Sequence, residues 1–325
     1  MGCALALSVL LLILVAKGTF NSTTVAKRLI GNPIIRPEML PLKENVNGPS
    51  LIRVPSWVSN PKAKFYLYFS SHSSRVIQLA YSENLSGPWN VLTNGTLQLK
   101  EALACKGHIA SPDVIVDDDR KEIRLYFHCP SRAMEGQKTF IARSSDGIRF
   151  KASSEVLGIF YWRVFQYKTM WYAMAKGGLL YRSQTGLGSF EEGPNPFPGG
   201  EMRDRDANNP GPRHVAIQGP FDDRLLVYYT NIGDAPERIL RTSISLNDDW
   251  KSWKTTEPIE ILRPSEKWEG FDLPVVKSSS GEAKSLEHAI RDPAIFVDHD
   301  NQKKRVYLLY SVAGEAGIAI AEIFE

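Results

Sequence analysis

The sequence predicts an all-β fold, a five-bladed β-propeller, from one phrase repeated five times. Each copy has an apolar strand, a turn, a Tyr-rich strand, and a third strand closing on Ser or Thr or on small apolar residues. Two further observations agree. Several copies run from that third strand through a Gly- and Asp-rich turn into an aromatic residue, as a fourth, outer strand requires. Self-similarity at this length, in strand-only units, is the mark of stacked propeller blades.

Copy one reads Pro49-Ser50-Leu51-Ile52-Arg53-Val54, then Phe65-Tyr66-Leu67-Tyr68-Phe69, then Val76 to Ser82. Copy two starts at Pro112-Asp113-Val114 and continues through Leu125-Tyr126-Phe127-His128 to Ser144. A degenerate third copy runs from Phe160-Tyr161-Trp162-Arg163 through Trp171-Tyr172 to Ser183. The fourth begins at Arg213-His214-Val215 and includes Leu226-Val227-Tyr228-Tyr229, ending at Ser243. The fifth begins at Asp292-Pro293-Ala294, includes Val306-Tyr307-Leu308-Leu309-Tyr310, and ends at Ile318 to Ala321. The outer aromatics are Trp89, Phe150, Phe190 and Trp250. Copy five lacks such a strand, and the stretch from Lys27 to Arg36 is expected to supply it and close the ring.

The 325 residues are expected to divide into a signal peptide at residues 1–18, an N-terminal segment at 19–44 and the propeller at 45–325. Residues Ala4 to Ala16 are apolar but too few to span a bilayer, and Ala16-Lys17-Gly18 follows as a cleavage-like small-x-small signal. A secreted protein, a monomer with no membrane contact after cleavage, is the expectation. Sequons at Asn21, Asn84 and Asn94 agree with it. Cleavage removes Cys3 and leaves Cys105 and Cys129, which either bridge or remain two buried thiols. The net charge of +3, with bases and acids intermixed, argues against nucleic acid as a partner.

Inner strands of a propeller converge on its axis, so their opening residues share one well. Those residues include His108 and Asp113, Trp162 and Arg163, Arg213 and His214, and His288, Arg291 and Asp292. Apolar strands opening on ionisable groups either cap a sheet or present a ligand site, and their convergence favours the ligand. His72, His128 and His299 read as turn or outer-strand residues. The Gly233 to Arg238 loop contributes Glu237, and the insertion Trp268 to Pro274 has an aromatic and acidic makeup suited to sugars. Three arginines against two aspartates predict a positive field and an anionic sugar. Calcium at the channel floor has no spacing motif behind it, and no other cofactor is indicated.

From Asn47 onward the chain resembles the five-bladed propeller glycosidases of glycoside hydrolase families 43 and 32. The resembling phrases are Gly48-Pro49-Ser50-Leu51-Ile52, Ser86-Gly87-Pro88-Trp89, Ser111-Pro112-Asp113-Val114 and Arg291-Asp292-Pro293-Ala294-Ile295-Phe296. The resemblance implies a secreted hydrolase acting on an oligo- or polysaccharide with paired carboxylates. It places an Asp at the opening of blade one, a second at blade two and an acidic Glu at blade three. Asp113 matches the second, while the first reads Asn47-Gly48 and the third Tyr161-Trp162-Arg163. Two outcomes follow. Either the site is rebuilt, with Asp292 or Glu237 as base, Asp113 as its pKa-setting partner, His214 as acid, and His108, Trp162, Arg163, Arg213 and Arg291 binding substrate. Or the protein is an inactive, lectin-like glycan binder. A propeller scaffold for protein partners is a third reading, and it would show an apolar rim.

Overall fold

Five antiparallel sheets surround one axis in the computed structural model, which describes residues 25–41, 45–197, 212–300 and 303–324. The segment 1–18 and the Asn21 sequon lie outside the described residues. From inside outward, blade one uses Asn47–Arg53, Phe65–Ser70, Val76–Ser82 and Asn90–Val91. Blade two uses Ala110–Asp117, Glu122–Pro130, Gln137–Ser144 and Lys151–Ala152. The degenerate third copy forms a smaller blade from Arg163–Tyr167, Met170–Met174, Leu180–Ser183 and Glu191–Glu192. Blade four has Pro212–Phe221, Arg224–Asn231, Ile239–Ser245 and Ile259–Leu262. Blade five has Ile290–Asp300, Lys303–Val312 and Ile318–Phe324, with Val25–Arg28 as its outer strand.

The repeated Tyr and Ser positions have separate jobs. In blades one to three the third strand ends on a Ser whose hydroxyl organises the next turn: Ser82 Oγ donates to the Pro88 carbonyl at 2.8 Å, Ser144 Oγ accepts from the Gly147 amide at 2.9 Å, and Ser183 Oγ donates to the Gly188 carbonyl at 2.6 Å. The Tyr side chains then reach those turns from the blade before. Tyr68 of blade one donates to the Gly147 carbonyl and Tyr126 of blade two to the Gly186 carbonyl, both at 2.7 Å. Gly147 sits at φ +71°, and a Cβ there would lie 2.9 Å from the Tyr68 hydroxyl, so turn geometry and close approach both demand glycine. Buried aromatic and aliphatic side chains fill the space between adjacent blades, as with Phe150 set edge-on against Tyr68 at 6.0 Å.

Ring closure is locked by charge as well as by strand pairing. Val25 to Arg28 pair with Phe324 to Ala321. Arg28 makes a bidentate bond to Glu269, Nε at 2.9 Å and Nη2 at 2.8 Å, and the Tyr310 hydroxyl donates to the same carboxylate at 2.9 Å. Glu269 is fully buried, so the acid expected to grip sugar hydroxyls in the Trp268 insertion is instead a structural clamp.

At the axis, Arg163 places its guanidinium among the inner strands of the other four blades. Nη1 donates to the Pro112 carbonyl (2.8 Å) and to Asp113 Oδ1 (3.4 Å). Nη2 donates to the carbonyls of Pro49 (3.2 Å) and Pro293 (3.4 Å), and Nε to that of Val215 (3.2 Å). These bonds occupy all five N–H donors of the side chain. The inner strands are stitched to one another beside it. Ser50 Oγ accepts from the Val114 amide at 2.8 Å, and Asp113 Oδ2 accepts from the Val164 amide at 2.7 Å. The floor carbonyls of Pro49, Pro112, Val215 and Pro293, where calcium was considered, are thus bonded to a guanidinium.

Cys105 and Cys129 form a disulfide joining the approach to blade two to its second strand. Two stability measurements follow. Replacing Arg163 by Met leaves several buried carbonyls and Asp113 without their partner and is expected to cost about 3–5 kcal/mol. Arg163→Lys restores the charge but not the five-donor fork, and should recover only part of that in denaturant unfolding. Reducing the disulfide is expected to cost about 2–4 kcal/mol, read as a lower melting temperature in reductant.

Candidate functional site

The inner strands open on a shared backbone irregularity. Residues at the mouth take positive φ, Gly48 at +58°, Ser111 at +45°, Tyr161 at +61° and Asp292 at +53°. Strand register slips beside Gly48, Ser111 and Asp292. Such bulges re-aim side chains, and a non-glycine residue held there stores about 1–3 kcal/mol that the packed ring must offset. Gly48 cannot be exchanged for an acid without movement. A Cβ on it would lie 3.0 Å from Ser111 Cα.

A cavity of about 220 Å³ lies above this ring. Its walls include Asn47 and His72 of blade one, His108, Ser111, His128 and Gln137 of blade two, and Phe160, Tyr161 and Lys176 of blade three. Arg213 and His214 come from blade four, Glu315 from blade five, and Ser280 and Gly281 from the insertion that precedes it. A narrow void beneath is lined by Asp292, Gly48, Trp162 and Arg163, and shares Ser111, Tyr161 and His214 with the cavity above.

His214 joins the two spaces. Its Nδ1 meets Asp292 Oδ1, its ring lies edge-on to Tyr161 with centroids 3.9 Å apart, and Nε2 is buried without a protein hydrogen bond. Ser311 donates to the other Asp292 oxygen at 3.1 Å. Burial lowers the His214 pKa, and Arg213 and Arg163 add to this, so the imidazole stays below its ordinary value although Asp292 pulls the other way. For Asp292, burial alone would raise the carboxyl; His214, Arg291 and Arg213 outweigh it and hold the group well below the usual range. The pair is therefore a carboxylate and a neutral imidazole near neutral pH.

An ionic chain forms the other wall. Arg213 grips Glu237 through Nε at 2.7 Å and Nη2 at 3.0 Å, and Thr230 donates to Glu237 at 2.7 Å. Arg291 reaches Glu237 at 3.4 Å and Glu315 at 3.8 Å, and also contacts Glu287. Glu315 accepts from His72 Nδ1 at 2.8 Å. Glu237 is fully buried and saturated by these partners. Its role is to hold arginines, and it does not line the cavity.

Of the sequence-predicted residues, His108, Arg213 and His214 line the cavity, and Asp292 lies directly beneath it. His108 Nε2 pairs with Gln137 Oε1 at 3.0 Å. Asp113 and Arg163 belong to the axial tie, where burial raises the Asp113 carboxyl despite Arg163 and the Val164 amide. Trp162 packs against Tyr181 (5.0 Å) and Phe190 (4.6 Å) of its own blade and Tyr126 (6.4 Å) of blade two, and the rings on the cavity wall are those of Phe160 and Tyr161. Arg291 is buried within the ionic chain, and His288 Nδ1 donates to the Leu273 carbonyl, 3.0 Å away. The positive field expected from three arginines and two aspartates does not form. Glu237, Glu287 and Glu315 join the arginines and balance them.

Sequence reading passed over His72, His128 and Glu315. His128 pairs with Ala110 in register, at the mouth end of its strand, and Ser70, just ahead of His72, pairs with Asn47. Blade phase on the second strand was the signal available. Glu315, between two blade-five strands, carried none.

No family model matches this chain. It is 35% identical over 305 residues to the uncharacterized protein R118 of Acanthamoeba polyphaga mimivirus, covering 86% of this chain and 83% of that one. Among solved structures, a family-43 β-xylosidase/α-arabinofuranosidase from a compost microbial metagenome, in complex with xylotriose, matches with a TM-score of 0.59 at 12% identity, over 93% of this chain and 95% of that one. A thermostable family-43 glycoside hydrolase matches at 0.57 and 14%, over 86% and 90%. An N-acetylgalactosamine deacetylase from F. plautii, in complex with blood group B trisaccharide, matches at 0.52 and 10%, over 86% and 89%. At these identities the likeness concerns the fold. The chain belongs to the family of mimivirus protein R118 and has a five-bladed propeller fold like that of the family-43 glycoside hydrolases.

Proposed function

We propose that the protein hydrolyses a glycosidic bond in a neutral oligosaccharide bound in the axial cavity. The observation that carries this is His214, whose Nδ1 meets the Asp292 carboxylate and whose Nε2 is buried without a protein hydrogen bond. Asp292 fixes the tautomer that keeps the proton on Nδ1 and the lone pair on Nε2. That nitrogen then accepts a proton from attacking water as general base. Phe160 and Tyr161 supply ring surface for a pyranose, and Asn47 and Gln137 supply hydrogen bonds to hydroxyls. Xylotriose in the fold neighbour supports a neutral saccharide, and so does the balanced charge of the ionic wall.

Gly48 favours a second reading. A position that cannot carry the carboxylate of the resembling hydrolases suits a glycan binder without turnover. For either reading we place the mature chain outside the cell, where the Cys105–Cys129 disulfide would persist and exposed Asn84 and Asn94 would be glycosylated.

Incubation with a panel of neutral and acidic oligosaccharides tests the proposal. Reducing ends should appear with a neutral substrate, with little dependence on salt. His214→Gln and Asp292→Asn are expected to lower kcat by about 10²–10⁴-fold while binding persists. Since the His214 pKa is lowered, the base works above that value, and activity should fall as pH drops through it. Binding without turnover on every sugar would support the lectin-like reading.

A further inference from the structure

We propose that His72, held by Glu315, donates the proton to the departing sugar oxygen in the cavity where His214 accepts one from water. This rests on the hydrolase reading above and adds the second half of its chemistry. His72 follows the second strand of blade one, and Glu315 lies in the turn before the third strand of blade five. Two sheets distant in sequence thus build a second imidazole–carboxylate pair, and both members line the same cavity as His214.

The geometry suits a donor. His72 Nδ1 lies 2.8 Å from Glu315 Oε2 and 3.1 Å from Asn47 Nδ2; the carboxylate can only accept, which assigns the proton to Nδ1, and the His72 amide donates to Asn45 Oδ1 at 3.0 Å, which fixes the loop. Glu315 is itself steadied by Asn47 Nδ2 at 3.5 Å and Arg291 at 3.8 Å. With Nδ1 committed, Nε2–H is the proton available to a ligand, and the side chain keeps 23% of its surface exposed. Asp292 offers no such access, since its side chain is 2% exposed.

The two imidazoles are also tuned apart. Burial pulls the His72 pKa down, but the Glu315 hydrogen bond and charge, with Asp292 and Glu282, leave it above the ordinary value. Arg213 and Lys176 line the cavity with opposing charge and Arg291 lies buried behind Glu315, while the imidazoles His108, His128 and His214 and the Tyr161 phenol are the other titratable groups on the wall. His214 is shifted the opposite way. Paired groups pushed to opposite sides of a histidine's usual pKa of about 6.5 are suited to acid and base roles. In the step, the glycosidic C–O bond breaks with its electrons going to the leaving oxygen, which takes the Nε2 proton of His72. The water oxygen bonds to the anomeric carbon and its proton passes to His214. Exchange with solvent then reprotonates His72 and deprotonates His214, so nothing is oxidised or reduced.

The experiment compares two aryl glycosides of the sugar that the wild type cleaves, one with dinitrophenol and one with unsubstituted phenol as leaving group. His72→Gln should lose about 10²–10⁴-fold on the phenyl glycoside and under about tenfold on the dinitrophenyl glycoside, which needs no proton. The wild-type pH profile should fall as pH rises through the His72 pKa, and His72→Gln should lack that basic limb. Equal losses on both substrates, or an unchanged basic limb, overturn the donor role while leaving the hydrolase reading intact. A wild type without turnover on any sugar removes both. Proton NMR titration gives a readout free of activity. The His72 ring should titrate above the ordinary histidine value and drop in Glu315→Gln; titration at or below that value in the wild type contradicts the proposal.

Discussion

One guanidinium ties the ring together. Arg163, carried by the shortest and most degenerate blade, spends its five donors on Asp113 and on carbonyls of the four remaining blades. Inner strands of a propeller bring their carbonyl dipoles to a crowded axis, where each unpaired acceptor would cost about 1–3 kcal/mol. A planar, permanently charged fork meets several of them at once, as a flexible ammonium could not. The mouth of the axis inherits that rigidity. His214 and Asp292 stand directly beside Arg163 around the same narrow void.

Charge at the axis divides into two kinds by how fully it is satisfied. Arg163 with Asp113 and Arg213 with Glu237 are buried pairs whose members have their hydrogen bonds met within the protein. Such pairs specify geometry more than they add stability. His214 and His72 differ. Each has one ring nitrogen tied to a carboxylate and the other left for something that the protein does not supply. Groups of this second kind have the chemistry of a site, and both are imidazoles in a fold whose solved neighbours include family-43 glycoside hydrolases.

Much of the fold was legible because its signals are local and repeated. Tyr68 and Tyr126 bond the next blade's turn, and Ser144 and Ser183 organise those turns, so a recurring phrase in sequence is a recurring contact in space. The site was legible only in part. His214, Arg213 and Asp292 open inner strands, where convergence follows from topology alone. Trp162 and Asp113 open strands too, yet one packs in the cluster between blades two and three and the other joins the axial tie. Glu315 and His72 owe their meeting to the lengths of two turns, which leave no pattern in one sequence. Counting arginines against aspartates failed for the same reason, since the neutralising glutamates arrive on turns and on an insertion.

The most direct measurement is a crystal structure of the protein with a neutral oligosaccharide soaked into the axial cavity. The account predicts a sugar whose glycosidic oxygen lies within hydrogen-bond reach of His72 Nε2, a water or hydroxyl at His214 Nε2, and Arg163 bonded to the inner-strand carbonyls below. A saccharide bound away from both imidazoles, or an axis where Arg163 points elsewhere, would contradict it.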